Sequence, residues 1–201
     1  MRKSVEYTSY PLSATLTRRV VSYLNIYRMV IALLLASAHF SGLLDADVKG
    51  MSESIARIVL IAYLLFAAFH LFSARRNNVI FFIQATLSLF SDVVFLSVLV
   101  AVFSGVESGV GILLVFISAA SALLLPMRIS LLLASIASIA MIGTALWNYS
   151  LGIGTTASMV QAALFSVTAM ISVIMANRLA YWARDYRLIS EKQQETLSEL
   201  E

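Results

Sequence analysis

The chain contains no cysteine, and proline occurs only at Pro11 and Pro126. The first absence excludes disulfides, thiolate metal sites and a cysteine nucleophile, while leaving the redox compartment open. Charge is also scarce: charged residues are 12% of the 201, against 60% hydrophobic. A soluble domain is about half apolar and about a quarter charged, so water is the wrong solvent for most of this surface. Missing too are a phosphate-binding glycine loop, a His-Glu-x-x-His motif and a Ser/His/Asp set, so the residues offer no recognisable catalytic constellation. Neither paired broken helices nor an internal repeat, both common in transporters, is evident.

What is present is apolar sequence in long runs, with a mean hydropathy of +0.90. Residues 58–66 are apolar on every helical face, as a lipid-facing helix requires. A helix needs roughly 20 residues to cross about 30 Å of hydrocarbon, which predicts spans at 24–44, 55–72, 79–103, 110–125, 129–148 and 157–177. Polar or breaker-rich stretches separate them at 45–50, 75–78, 104–109, 126–128 and 152–154. The fourth span is short. The predicted fold class is therefore an all-α bundle of six transmembrane helices, at 24–177. A cytoplasmic arm precedes it at 1–23, its second half a candidate interfacial helix, and a helical extension follows at 178–201.

The basic residues orient the bundle. Arg2, Lys3, Arg18, Arg19, Arg28, Arg75, Arg76, Arg128, Arg178, Arg184, Arg187 and Lys192 fall on one side, and only Lys49 and Arg57 on the other. With an even number of spans, this bias predicts cytoplasmic termini. Because these charges sit at helix ends rather than in one patch, the net charge of +3 does not point to nucleic acid. Arg28 is expected to snorkel from the inner interface to lipid phosphates, with Asn25 and Tyr27 beside it.

One carboxylate stands deep in a predicted span. Asp92 shares a helical face with Gln84, Ser88 and Ser91, while Phe90 and Val94 fall on the other side. Ionisable groups in hydrocarbon are candidate functional sites. Asp92 is read either as a sensing group facing the bundle interior or as a packing carboxyl bonded to neighbouring helices. His39 and His70 lie near opposite membrane faces and cannot share a metal. Small and hydroxyl residues on span five (Ser135, Ser138) and span six (Gln161, Thr168, Ser172) allow close helix approach. They serve internal packing or form a groove for another transmembrane helix.

After residue 177 the character changes. Leu179, Trp182, Tyr186, Ile189, Gln193, Thr196 and Leu200 recur at alternating steps of three and four, with charged residues between them. This heptad-like pattern predicts a helix that continues out of the membrane and pairs through Leu179, Trp182, Tyr186 and Ile189. It ends without a cap, as expected of a helix that continues into a further cytoplasmic region.

The stretch Leu24-Asn25-Ile26-Tyr27-Arg28, the segment Asp92-Val93-Val94-Phe95-Leu96 and the glycine-rich loop 104–111 together resemble the sensor histidine kinases of type IV pili (PilS-like). Val106 and Glu107 depart from the family's Gly-Gly…Ser-Gly pattern in that loop. The resemblance implies the membrane sensor region of a two-component kinase in the bacterial inner membrane. It also implies a homodimer, a pilin transmembrane helix as signal and a cognate response regulator as output partner. ATP and Mg²⁺ would belong to the kinase domains and not to these residues. The alternative is a small transporter or membrane scaffold.

Overall fold

The computed structural model describes residues 14–43, 53–73, 81–103 and 105–200. Among these there are six α-helices: α1 (Ala14–Phe40), α2 (Glu53–Ser73), α3 (Phe81–Val102), α4 (Gly111–Leu124), α5 (Met127–Ser150) and α6 (Thr156–Leu200). A 3₁₀ turn at Gly105–Ser108 precedes α4. In hydrocarbon every backbone amide and carbonyl must be paired within the protein, which leaves the helix as the form these apolar runs can take. The expected loops at 45–50 and 75–78 lie outside the described residues.

Five helices are long and apolar enough to cross a membrane; α4 is the exception. Its 14 residues reach about 21 Å at about 1.5 Å per residue, short of the roughly 30 Å hydrocarbon layer. The reason is its position. Helices α3, α5 and α6 pack around α4, and Leu114, Ile117, Ser118, Ser121 and Leu124 are buried. A helix packed against protein over most of its surface, with only Ile112 and Phe116 strongly exposed, need not match the bilayer. Gly111 opens it where α6 approaches closely: a Cβ there would stand 3.0 Å from the Phe165 ring. At its other end Leu125 and Pro126 turn the chain directly into α5.

Helix α1 begins at Ala14, ten residues before the predicted start of span one. From Ala14 the N-terminal arm is helical and continuous with the first span. At the other end, α6 runs for 45 residues without a break. The α5–α6 turn uses Gly152 at φ +71°, a conformation that side-chain-bearing residues rarely adopt.

The core runs through the α3–α6 bundle and includes Val93, Leu96, Leu99, Phe103, Leu114 and Leu133. Helices α1 and α2 pair as a hairpin against one side of it, meeting α3 and α4. Their outer faces, including Leu33, Leu34, Ile58 and Leu65, are exposed as lipid-facing surfaces should be.

Candidate functional site

The hairpin joins the bundle through charge. Asp92 on α3 is fully buried, and Arg28 on α1, 1% exposed, forms an ion pair with it from Nη2 to Oδ2. The Arg28 Nη1 donates to Asn25 Oδ1 at 2.9 Å, three residues earlier on the same helix. Asn25 in turn points its Nδ2 at the His70 carbonyl on α2, at 3.5 Å. Phe66 of α2 lies under the guanidinium, 5.7 Å from ring centroid to Cζ. Three helices therefore meet at one guanidinium.

This corrects the expectation for Arg28. It does not reach lipid phosphate; it sits about 13 Å deeper than Arg19 along α1 and is enclosed by protein. Nor is Asp92 a lone charge in the bilayer. Each neutralises the other, which is how charged side chains persist at membrane depth. The pairing was legible in principle, since an intramembrane arginine and an intramembrane carboxylate seek each other. The proximity of Arg28 to the basic end of span one concealed it. Removing Arg28 from the orientation count leaves eleven basic residues against two.

The pair is not fully bonded. Arg28 Nε and Asp92 Oδ1 have no hydrogen-bond partner, although both are buried. They are a free donor and a free acceptor, the complementary groups that a two-bond guanidinium–carboxylate fork would join. Aromatic contacts surround them: Phe95 lies 5.1 Å from Phe66 and 5.6 Å from Tyr63. Tyr27 stacks on Phe116 of α4 at 4.3 Å, linking α1 to the central helix one residue from the ion pair.

The other residues on the Asp92 face differ in placement. Ser88 is buried and Ser91 half-buried, while Phe90 and Val94 are exposed on the opposite side. Gln84 stands two turns earlier on α3, and its side chain lies outside the described residues. His39 is buried with its ring edge-on to Phe103, and His70 is edge-on to Phe66. Each packs at its own end of the hairpin. Among the described residues, no group of three His, Cys, Asp or Glu could hold a metal ion.

The small-residue positions differ in burial. Ser138 is buried between α5 and α6, where the Ser166 hydroxyl bonds to Ala162 O at 2.8 Å and lies 3.5 Å from Ser138 O. Ser135 is half-buried and bonds to Leu131 O on its own helix. Thr168 is exposed on α6 and caps its hydroxyl on Leu164 O, whereas Gln161 and Ser172 are half-buried. One residue on this helix was used in the sequence only as a boundary. Asn177 is buried, and its Nδ2 donates to Ala122 O of α4 at 3.2 Å. Four residues beyond a buried Val173, it clamps α6 to α4.

Past that clamp, Leu179, Trp182, Tyr186 and Ile189 form an exposed apolar stripe, with Trp182 63% and Tyr186 73% exposed.

These features define an all-helical, multi-pass membrane domain with a short central helix, a buried intramembrane ion pair and one helix much longer than a span. The chain belongs to the family of PilS-like transmembrane domains, matched over residues 11–188, and is a membrane sensor domain of the PilS type. No curated protein and no solved structure matches it.

Proposed function

We propose that this domain is the input module of a homodimeric two-component histidine kinase. It registers an intramembrane signal, of which a pilin helix is one candidate, and delivers it through α6 to kinase domains and a response regulator. It lies in the bacterial inner membrane with both termini in the cytoplasm, as the eleven-to-two basic bias supports. ATP and Mg²⁺ act in the kinase domains.

The observation that carries this reading is α6. Its 45 residues extend about 68 Å, more than twice the hydrocarbon thickness. One unbroken helix thus connects the membrane core to an exposed apolar stripe outside it. Rotation or tilt at one end reaches the other without a hinge. The hairpin carrying Arg28 touches α4 through Tyr27 and Phe116, and α4 is bonded to α6 through Asn177. A displacement of α1 therefore has a packed route to the output helix.

The test is phase. Inserting two residues after Tyr181 turns the distal helix by roughly 200° at about 3.6 residues per turn. Kinase output in the full-length protein should change sharply, whereas inserting seven residues, about two turns, should largely preserve it. Unchanged output after the two-residue insertion would refute rotation along α6 as the signal.

A further inference from the structure

We propose that the Arg28–Asp92 pair is a two-position latch for the α1–α2 hairpin. One position is the single bond of this structure; the other is a closed fork in which Arg28 Nε also donates to Asp92 Oδ1. Nη2 and Nε lie along one edge of the guanidinium, and Oδ1 and Oδ2 belong to one carboxylate. The bonded atoms are Nη2 and Oδ2, and their immediate neighbours Nε and Oδ1 are the two buried atoms without a partner. The pair is therefore half of a side-on fork. A charged donor and a charged acceptor left unbonded in the interior favour an arrangement that joins them.

Asn25 holds the fork open. Its Oδ1 accepts from Nη1 at 2.9 Å, so the guanidinium is anchored at both Nη atoms, by α1 itself and by α3. The group is rigid and planar, with its nitrogens equidistant from one another. Pivoting on Nη2 to bring Nε to Oδ1 thus carries Nη1 equally far, off Asn25. One bond is exchanged for another. Asn25 Nδ2 is aimed at the His70 carbonyl at 3.5 Å, long for a hydrogen bond, so release from Nη1 frees Asn25 to close on α2.

The hairpin can follow. Around the pair it meets the core through rings, Tyr63 and Phe66 on Phe95 and Tyr27 on Phe116, and ring pairs accept a range of offsets. Closing the fork draws α1 toward α3 and moves Tyr27, the residue before Arg28, across Phe116. The effect on output rests on the α6 relay proposed above.

The test reads the Arg28 Nε–H by nitrogen NMR exchange measurements on the 201-residue chain in lipid nanodiscs, the signal being recognised by its contact with the Phe66 ring. Wild type should exchange on the μs–ms scale between two signals. The minor one should hold about 0.1–10% of the molecules and be shifted as a carboxylate-bonded N–H. Asn25→Leu should raise that minor fraction at least about tenfold, the equilibrium worth of one hydrogen bond to a charged group. A single signal in contact with water, a single signal permanently bonded to Asp92, or no response to Asn25→Leu would overturn the latch. Should Asn25→Leu fail to fold, the wild-type exchange alone decides. In the full-length protein, Arg28→Lys keeps one bond but has no second nitrogen for a fork. At equal membrane levels its kinase output and that of Asn25→Leu should depart from wild type in opposite directions. Departure in the same direction would overturn the latch, whereas two exchanging signals with both outputs unchanged would support the latch and refute its link to α6.

Discussion

At the scale of single residues, the energetics turn on Arg28 and Asp92. Breaking a buried pair by removing one partner costs about 3–5 kcal/mol, because the survivor is left charged and uncompensated. Arg28→Leu and Asp92→Leu should each destabilise the detergent-solubilised domain by roughly that amount. The double variant should recover most of the loss, since an apolar pair of similar volume is often neutral. Thermal unfolding of all four proteins checks this; additive losses would mean that the two side chains are not coupled. Signalling separates packing from sensing. Asp92→Asn keeps a hydrogen-bonding group without the charge. Activity that survives Asn but not Leu assigns Asp92 to packing, and loss with both at normal membrane levels assigns it a charge-dependent role. Asn177 makes a simpler case. Asn177→Leu leaves the Ala122 carbonyl without this bond and should cost about 1 kcal/mol of stability, within the range measured for interhelical bonds in membranes. In the proposed mechanism it should also uncouple output from the membrane signal.

At the scale of helices, α4 and α6 divide the work. Helix α4 is short and packed among α3, α5 and α6, and a Cβ on Gly111 at its N-terminus would crowd the Phe165 ring at 3.0 Å. Gly111→Leu should force α4 and α6 apart, lowering thermal stability by about 1–3 kcal/mol as overpacked cores do. Helix α6 instead presents an apolar stripe that stands exposed among the described residues. The chain has no cysteine, so single cysteines offer a clean background for disulfide crosslinking. Trp182, Tyr186 and Ile189 should crosslink in high yield between copies, and Arg184 and Arg187 in low yield. Uniform yields would mean that the helices pair without a fixed seam, and failure at every position would indicate a monomer.

At the scale of the whole molecule, the fold is a four-helix core with a hairpin held against it by apolar packing of Leu35, Leu60 and Tyr63, by the Arg28–Asp92 ion pair and by aromatic contacts. Much of the hairpin faces outward, so its attachment is the weaker joint. Topology follows from charge. Reporter fusions after Glu201 and within 152–154 should report opposite sides of the membrane, with the former cytoplasmic. Finding both on one side would sink the six-span arrangement and the positive-inside reading together.

The apolar runs and their breaks were enough to determine the helical class, because hydrocarbon leaves the backbone no alternative to internal hydrogen bonding. The same local pattern predicted that the sixth span would continue as helix, since nothing between Ala157 and Ile189 breaks it. It also singled out Asp92, because a carboxylate amid apolar residues is conspicuous in one dimension. The partner was not. Whether Arg28 points to phosphate or to Asp92, 64 residues away, depends on how α1 lies against α3, and local periodicity carries no information on that. Small residues were equally ambiguous. Ser138 packs inside and Thr168 faces out, though both look alike in sequence, because only the positions of neighbouring helices decide which face of a helix is interior. The Asn177 bond to Ala122, likewise, exists only once α6 is laid beside α4.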